Sequence, residues 1–188
     1  MPYSDEPITT RRAQVGDARA VTGLLLGIYA EHDYFVGDGP ASERNLARRL
    51  DIDDPVRSLY LVAVSKTPAR EVICGWLELH RAPAWRLEHV AVLTLAVSPD
   101  YRRRGVAREL LERSYDWCEV VGVVKLSLQV RAGNSAAIAL YERAGFEHEG
   151  RERGQIRLRR AATELGSGEA GGYDPELYED NLIMGKWL

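Results

Sequence analysis

The sequence predicts a mixed α/β domain whose sheet is largely antiparallel in its first half and has one parallel step in the middle. Three observations carry that prediction. Residues 59–64 (LYLVAV) and 72–79 are short apolar runs joined by the turn Lys66-Thr67-Pro68-Ala69-Arg70, the pattern of a hairpin. Residues 89–97 (HVAVLTLAV) are almost continuously apolar, which marks a central strand covered on both faces. A helical pattern after that strand, and then the alternating run 123–130 (VVKLSLQV), complete a strand–helix–strand crossover with its two strands parallel.

The other elements follow in chain order. Residues 8–13 suit a first strand. Gly16-Asp17 offers a cap for a helix in which Val21, Leu24, Leu25 and Ile28 recur at helical spacing. Residues 31–40 (EHDYFVGDGP) read as a loop, and Ser42 caps a second helix ending near Leu50, with Asn45, Arg48 and Arg49 on its wet side. The connection 81–87 holds Pro83. Val106, Leu110, Leu111, Cys118 and Val121 share one face of the crossover helix, which stops at Gly122. Val124, Leu126, Leu128 and Val130 share one face of the next strand, and Lys125, Ser127 and Gln129 the other. Asn134-Ser135 opens a helix over 136–144, ended by Gly145. Residues 146–151 start a strand, residues 157–172 are irregular and glycine-rich, and 181–188 form a last strand. The expectation is one domain over 1–188 with a flexible segment near 161–173.

Bulk properties exclude several functions. An apolar share of 45% in 188 residues suffices for a core, and a net charge of −3 gives no global attraction to nucleic acid or anionic membrane. Cys74 and Cys118 form no disulfide framework and lack metal-ligand spacing, so they read as small core residues and no metal is expected. The start MPYSDEPITTRR leads into no apolar segment, which argues against a secretory signal, and the apolar runs are too short to span a bilayer. A cytoplasmic protein is the expectation.

The chemistry is concentrated at YRRRGVARELL, residues 101–111. A buried strand ends at Val97, a tight turn follows, and a helix begins near Arg104-Gly105. A first helical turn carries unpaired N–H groups and the positive dipole end. Gly105 lets an oxygen-rich group approach, and Arg102, Arg103 and Arg104 add positive charge. On these residues alone two readings stand, a solvated basic helix start or a turn that holds a phosphate. No Walker loop occurs. A literal dinucleotide fingerprint at Gly166-Ser167-Gly168-Glu169-Ala170-Gly171 follows no buried strand and opens no helix, so it is set aside.

Taken together, LAVSPDYRRRGVARELL and LQVRAGNSAAIALYERAGF closely resemble the GNAT superfamily of N-acetyltransferases. Arg102 to Ala107 satisfies its Gln/Arg-x-x-Gly-x-Gly/Ala motif, and Asn134, Tyr141 and Gly145-Phe146 match its later motif in order and spacing. The resemblance is strong over about residues 89–151. It implies helices on both faces of the sheet, a splayed parallel strand pair, and acetyl-CoA as co-substrate. It further implies that backbone N–H groups from Arg102 through Gly105, Val106 and Ala107 hold the pyrophosphate. Leu95, Ala96 and Val97 would lie beside the acetyl group, with an N–H there polarising the thioester carbonyl. Asn134 would bond the pantetheine arm, and Tyr141 would sit near the sulfur and protonate the departing thiolate.

The resemblance also frames the open questions. Members that acetylate protein N-terminal residues, including a ribosomal-protein alanine, carry a glutamate where this chain has Gln129, which cannot accept a proton. Glu88 and His89 are therefore the candidate base or proton relay, as in members acting on amino acids and similar amines. Glu31, His32 and Tyr34 in the first loop, with Tyr173 and Tyr178 near the last hairpin, are the candidate substrate contacts. Arg151, Arg153, Arg157, Arg159 and Arg160 form a basic run that reads first as a solvated face, or as a binder of a carboxylate or CoA phosphate. It lacks the interleaved aromatics of a nucleic-acid platform. The expected activity is acetyl transfer to a primary amine, a small molecule such as an amino acid. The alternatives are a protein N-terminus, or a CoA-binding regulatory module without catalysis. The glycine-rich arm can also cross between the subunits of a homodimer.

Overall fold

The computed structural model describes residues 7–31, 34, 35, 37, 39–66, 71–158 and 177–188. Seven strands and four α-helices occur in the order β1 (Ile8–Arg12), α1 (Ala18–Ala30), α2 (Glu43–Asp51), β2 (Ser58–Lys66), β3 (Glu71–Arg81), β4 (Val90–Val97), α3 (Val106–Val121), β5 (Lys125–Arg131), α4 (Ser135–Arg143), β6 (Glu147–Arg157) and β7 (Tyr178–Trp187). They form one sheet in the order β1-β2-β3-β4-β5-β7-β6. Every neighbouring pair is antiparallel except β4 and β5. The expected fold class is the observed one.

The sheet is covered on both sides. Leu61, Leu77, Leu79, Leu93, Leu126, Leu128 and Met184 pack with Leu110, Leu111 and Trp117 of α3 on one face. On the other, Tyr60, Val62, Val64, Trp76 and Ala96 pack under Val21 and Ile28 of α1 and Leu46 of α2. Strand alternation sends neighbouring residues of β2 and β3 to opposite clusters, so β2 is buried along most of its length and β3 through its middle. The cysteines are free and buried in the first cluster, with thiols pushed up by burial to about 11 for Cys74 and about 12 for Cys118.

Helix ends follow the local chemistry. Ser42 Oγ accepts the Asn45 N–H at 3.3 Å, as its cap role predicts. Asp17 instead accepts the Gln14 N–H at 2.8 Å and both Arg11 Nη groups, so it fixes the short turn ahead of α1. Gly122 ends α3 in the left-handed region. The last hairpin exceeds its sequence pattern: β6 runs on to Arg157 and β7 begins at Tyr178, because register shifts between His148 and Gly150 and between Glu152 and Ile156 break the alternation. Val124 precedes β5 and is exposed rather than facing the core, its N–H donating to the His89 carbonyl. The glycine-rich 161–173 segment lies outside the described residues. No helix among the described residues is long and apolar enough to cross a membrane.

The feature that makes a site is the short parallel contact. β4 and β5 pair only at Val90–Lys125, Ala91–Leu126 and Val92–Ser127. Beyond Val92, β4 stays with β3 up to Val97, and β5 stays with β7 up to Arg131. The two central strands therefore part, and the sheet opens between them.

Candidate active site

The gap between β4 and β5 is a cavity of about 800 Å³ that runs from the strands to the N-termini of α3 and α4. That volume lies within the range of small-molecule sites. The backbone of β4 presents an open edge to it. The His89 carbonyl accepts the Lys125 N–H on the β5 side, whereas the Ser98 N–H donates to Cys74 on the β3 side. Strand alternation then turns the backbone groups of Leu93, Leu95 and Val97 toward the gap. Arg102 Nε donates to the Val97 carbonyl at 3.1 Å. The N–H groups of Leu95 and Val97 are left as donors toward the cavity, while the Ala96 backbone faces β3.

The turn after β4 closes one end. Pro99 starts a short 3₁₀ turn, Arg102 is extended, and Arg103 and Gly105 both take positive φ, at 60° and 80°. Gly105 caps α3 in the left-handed region, and its carbonyl accepts the Glu109 N–H at 3.0 Å. The first N–H groups of α3, from Val106 onward, have no intrahelical partner and lie against the cavity. A Cβ built on Gly105 meets nothing within 4 Å, so the approach to these N–H groups is open. Unpaired N–H groups at the positive end of a helix dipole give this turn the means to hold an anion.

The arginines divide their labour. Arg102 is engaged by Glu31 through two nitrogens and lies 4.8 Å from the Tyr34 ring centroid. The Arg104 guanidinium lies 5.0 Å from the Tyr101 ring centroid, and Arg104 does not line the cavity. Arg103 lines it, and so do Arg108 and Arg143, which the motif did not single out.

The other wall comes from β5 and α4. Asn134 caps α4 by accepting the Ala137 N–H on Oδ1 at 3.1 Å, which leaves its amide N–H groups for a ligand. In the last turn of α4, Tyr141 is buried with its ring edge-on to Phe146 at 5.5 Å, and it lines the cavity. Burial pushes its phenol up to about 12, so the hydroxyl stays protonated at neutral pH.

Of the residues singled out in the sequence, Leu95, Ala96, Val97, Arg102, Arg103, Gly105, Val106, Ala107, Asn134, Tyr141, Tyr34 and Gln129 all line this one cavity. Others do not. Glu88 and His89 lie beyond its closed end, where the β4–β5 pairing is intact. Glu88 is exposed, and His89 stacks on Trp187 at 6.3 Å. Glu31 spends both carboxylate oxygens on Arg102 rather than offering them to an ammonium. Tyr178 pairs in register with Arg157 at the start of β7 and does not line the cavity. His32, Tyr173, Arg159 and Arg160 lie outside the described residues. Arg151 is committed to Asp180 at 2.5 Å.

Sequence reasoning passed over a polar cluster on the α1/α2 face of the sheet. Arg49 Nη2 of α2 reaches Glu78 Oε2 at 3.0 Å and His80 Nε2 at 2.9 Å, both on β3. Its signal was the spacing in WLELH, which sets Glu78 and His80 on the same face of a strand.

A family model described as Acetyltransferase (GNAT) family matches residues 28–146. The chain belongs to this family. It is 31% identical over 158 residues to the N-alpha-acetyltransferase RimI of Mycobacterium tuberculosis, an alignment that covers 84% of this chain and 90% of that protein. It is 53% identical over 60 residues to the [ribosomal protein bS18]-alanine N-acetyltransferase of Salmonella typhimurium, covering 32% of this chain and 40% of that protein. The matched segment thus spans 40% of the length of these bS18-directed relatives. Among solved structures, a GNAT-family acetyltransferase from Streptococcus pneumoniae superposes with a TM-score of 0.76 at 22% identity, covering 97% of this chain and 100% of that one.

Proposed function

We propose that this protein is an acetyl-CoA-dependent N-acetyltransferase that moves the acetyl group directly onto a primary amine. The observation that carries the reading is the meeting, in one cavity, of the open N–H turn at Gly105 with the buried, protonated Tyr141 between parted strands. Acetyl-CoA supplies the activated acyl group. The α3 N-terminus binds its pyrophosphate, and the exposed edge of β4 with the Asn134 amide orients the arm that follows. The N–H groups of Leu95 and Val97 stabilise negative charge on the carbonyl oxygen, and Tyr141 gives its proton to the departing sulfur.

The acceptor we infer is an α-amino group. A free amino acid is the first reading, because Gln129 stands where N-terminal acetyltransferases of this kind carry a glutamate. The relatives' names favour a second, a peptide N-terminus, since one aligns over 90% of its own length. Thiol release from acetyl-CoA, followed with amino acids, polyamines, aminoglycosides and peptides with N-terminal alanine, separates the two. Failure of acetyl-CoA to raise the thermal midpoint would sink the whole reading. A thermal shift without turnover on any amine would favour a non-catalytic CoA-binding module.

A further inference from the structure

With Gln129 unable to take a proton and His89 remote from the cavity, the site still lacks an acceptor for the proton that the amine must lose. The cluster around Arg49 supplies one. In the β3–β4 register Glu78 is opposite Thr94, and His80 is opposite Val92. Directly opposed residues lie about 5 Å apart at Cα and project to the same face of the sheet. Thr94 and Val92 both line the cavity at the level where β4 and β5 part. Glu78 and His80 therefore stand on the next strand beside two lining residues, without lining the cavity themselves, on the side covered further along by α1 and α2.

The chemistry of the cluster is constrained. A guanidinium only donates, so His80 Nε2, 2.9 Å from Arg49, is the acceptor of that contact. Arg49 also satisfies Glu78 Oε2 and lies 5.4 Å from the Tyr60 ring centroid. His80 Nε2 stands 3.8 Å from the same carboxylate oxygen. Oε1 of Glu78 accepts no hydrogen bond from any described residue. Burial pushes the Glu78 carboxyl up, but His80 and Arg49 more than cancel this and hold it below the ordinary range, so it is ionised.

We propose that Glu78 is the proton acceptor for the incoming amine, with Arg49 and His80 holding its carboxylate so that Oε1 is left to take the proton. The proposal rests on the acetyltransferase reading. The neutral amine bonds the acetyl carbon, and the nitrogen, now positively charged and far more acidic, gives one proton to Oε1 directly or through one water. The carbon–sulfur bond breaks and the sulfur takes the Tyr141 proton. Glu78 then loses its proton to solvent and Tyr141 regains one, which leaves amide and free thiol. A carboxylate that is a poor base toward a resting ammonium is sufficient at that step, because the nitrogen loses most of its basicity as the bond forms.

The test uses the amine that wild type turns over fastest in the panel above. Glu78→Gln is expected to lower kcat about 100-fold with KM for acetyl-CoA changed less than about twofold. In Glu78→Ala, added formate is expected to restore about tenfold of the lost rate, a response that a structural role would not give. Arg49→Met combined with Glu78→Gln removes both charges of the half-buried pair, so it keeps the fold if either single variant unfolds, and it is expected to be as slow as Glu78→Gln. Turnover of Glu78→Gln near wild type overturns the proposal and leaves the acetyltransferase reading standing. Loss of turnover without formate rescue also overturns it, by making Glu78 structural. A wild type that binds acetyl-CoA yet acetylates no amine overturns the functional reading, and this proposal with it.

Discussion

Arg102 and Glu31 lie 71 residues apart in the chain and form a two-pronged ion pair, Nη2 to Oε1 at 2.6 Å and Nη1 to Oε2 at 2.8 Å. The pair joins the end of α1 to the turn that opens α3, and the same guanidinium donates to the Val97 carbonyl at the end of β4. One side chain thus ties the first loop to the cavity. The side chains are 32% and 27% exposed, so solvent screens the pair, but the planar fork and the Val97 contact fix its geometry. A double-mutant cycle of Glu31→Ala and Arg102→Ala is expected to give a coupling of about 1 kcal/mol, with each single variant melting roughly 2–4 °C lower. Chemical denaturation of the four proteins checks it, and a coupling near zero would show that Arg102 is not held by Glu31 in solution.

The grip on the co-substrate's phosphates is expected to come from backbone rather than from arginine side chains. Gly105 has open space where a Cβ would go, so Gly105→Val does not clash. It costs roughly 1–2 kcal/mol through φ alone and turns the first N–H groups of α3 away from their aim. Acetyl-CoA affinity, measured by calorimetry, is expected to fall more in Gly105→Val than in Arg103→Ala. Arg103 is itself a non-glycine at φ 60°, so Arg103→Gly is expected to stabilise the fold by about 1 kcal/mol. The reverse ranking of affinities would return the binding role to the arginines.

These parts of the cavity were legible in the sequence because they are local. A glycine at a strand-to-helix junction, an asparagine one residue before a helix, and a tyrosine seven residues on can be read from neighbours alone. What failed was non-local. Nothing near His89 shows that β4 and β5 remain paired through Val92, and that pairing places His89 and Glu88 on the closed side. Nothing in residues 31–40 shows that Glu31 is answered by an arginine from the other side of the cavity. Glu78 and His80 were passed over: they are two polar residues on one face of an apolar strand, and whether that face is open depends on where α1 and α2 stop. The extended β6 escaped notice because its bulges erase the period on which strand reading rests.

Tyr141 gives the most direct kinetic test. Its hydroxyl sits in the cavity wall with its proton held by burial, and Tyr141→Phe removes one oxygen from a packed site. Turnover is expected to fall about 10²- to 10⁴-fold while acetyl-CoA binds within about twofold of wild type. The pH dependence has a definite sign. Burial raises the folded-state value from 10.0 to about 12, so the protonated phenol persists through pH 10. The kcat profile is expected to show no alkaline limb near 10 from this group. Its contribution to stability is fully present below pH 10 and is lost as the pH rises from there toward 12, because the unfolded chain ionises first. Unchanged turnover in Tyr141→Phe would remove the residue from the mechanism.

Gly75 connects the sheet to the same turn from beneath. It is paired with Val97 in the β3–β4 register, and a Cβ placed on it would meet Val106 Cγ1 at 2.8 Å, Leu110 Cδ1 at 3.0 Å and Ala63 Cβ at 3.1 Å. Two of these atoms belong to the first turns of α3, and Val106 is stiff at χ1, so the helix start must shift to admit a methyl group. Gly75→Ala is therefore expected to destabilise the protein by about 1–3 kcal/mol as an overpacking substitution. Because Val106 also supplies one of the N–H groups at the cavity, acetyl-CoA affinity is expected to fall as well, although residue 75 does not line the cavity. Replacing Val106 with alanine in the Gly75→Ala background frees the space at the closest contact. It is expected to return part of the lost stability and affinity, measured by denaturation and calorimetry on the same preparations. No recovery in either quantity would mean that Gly75 acts through β3 itself and not through the helix it supports.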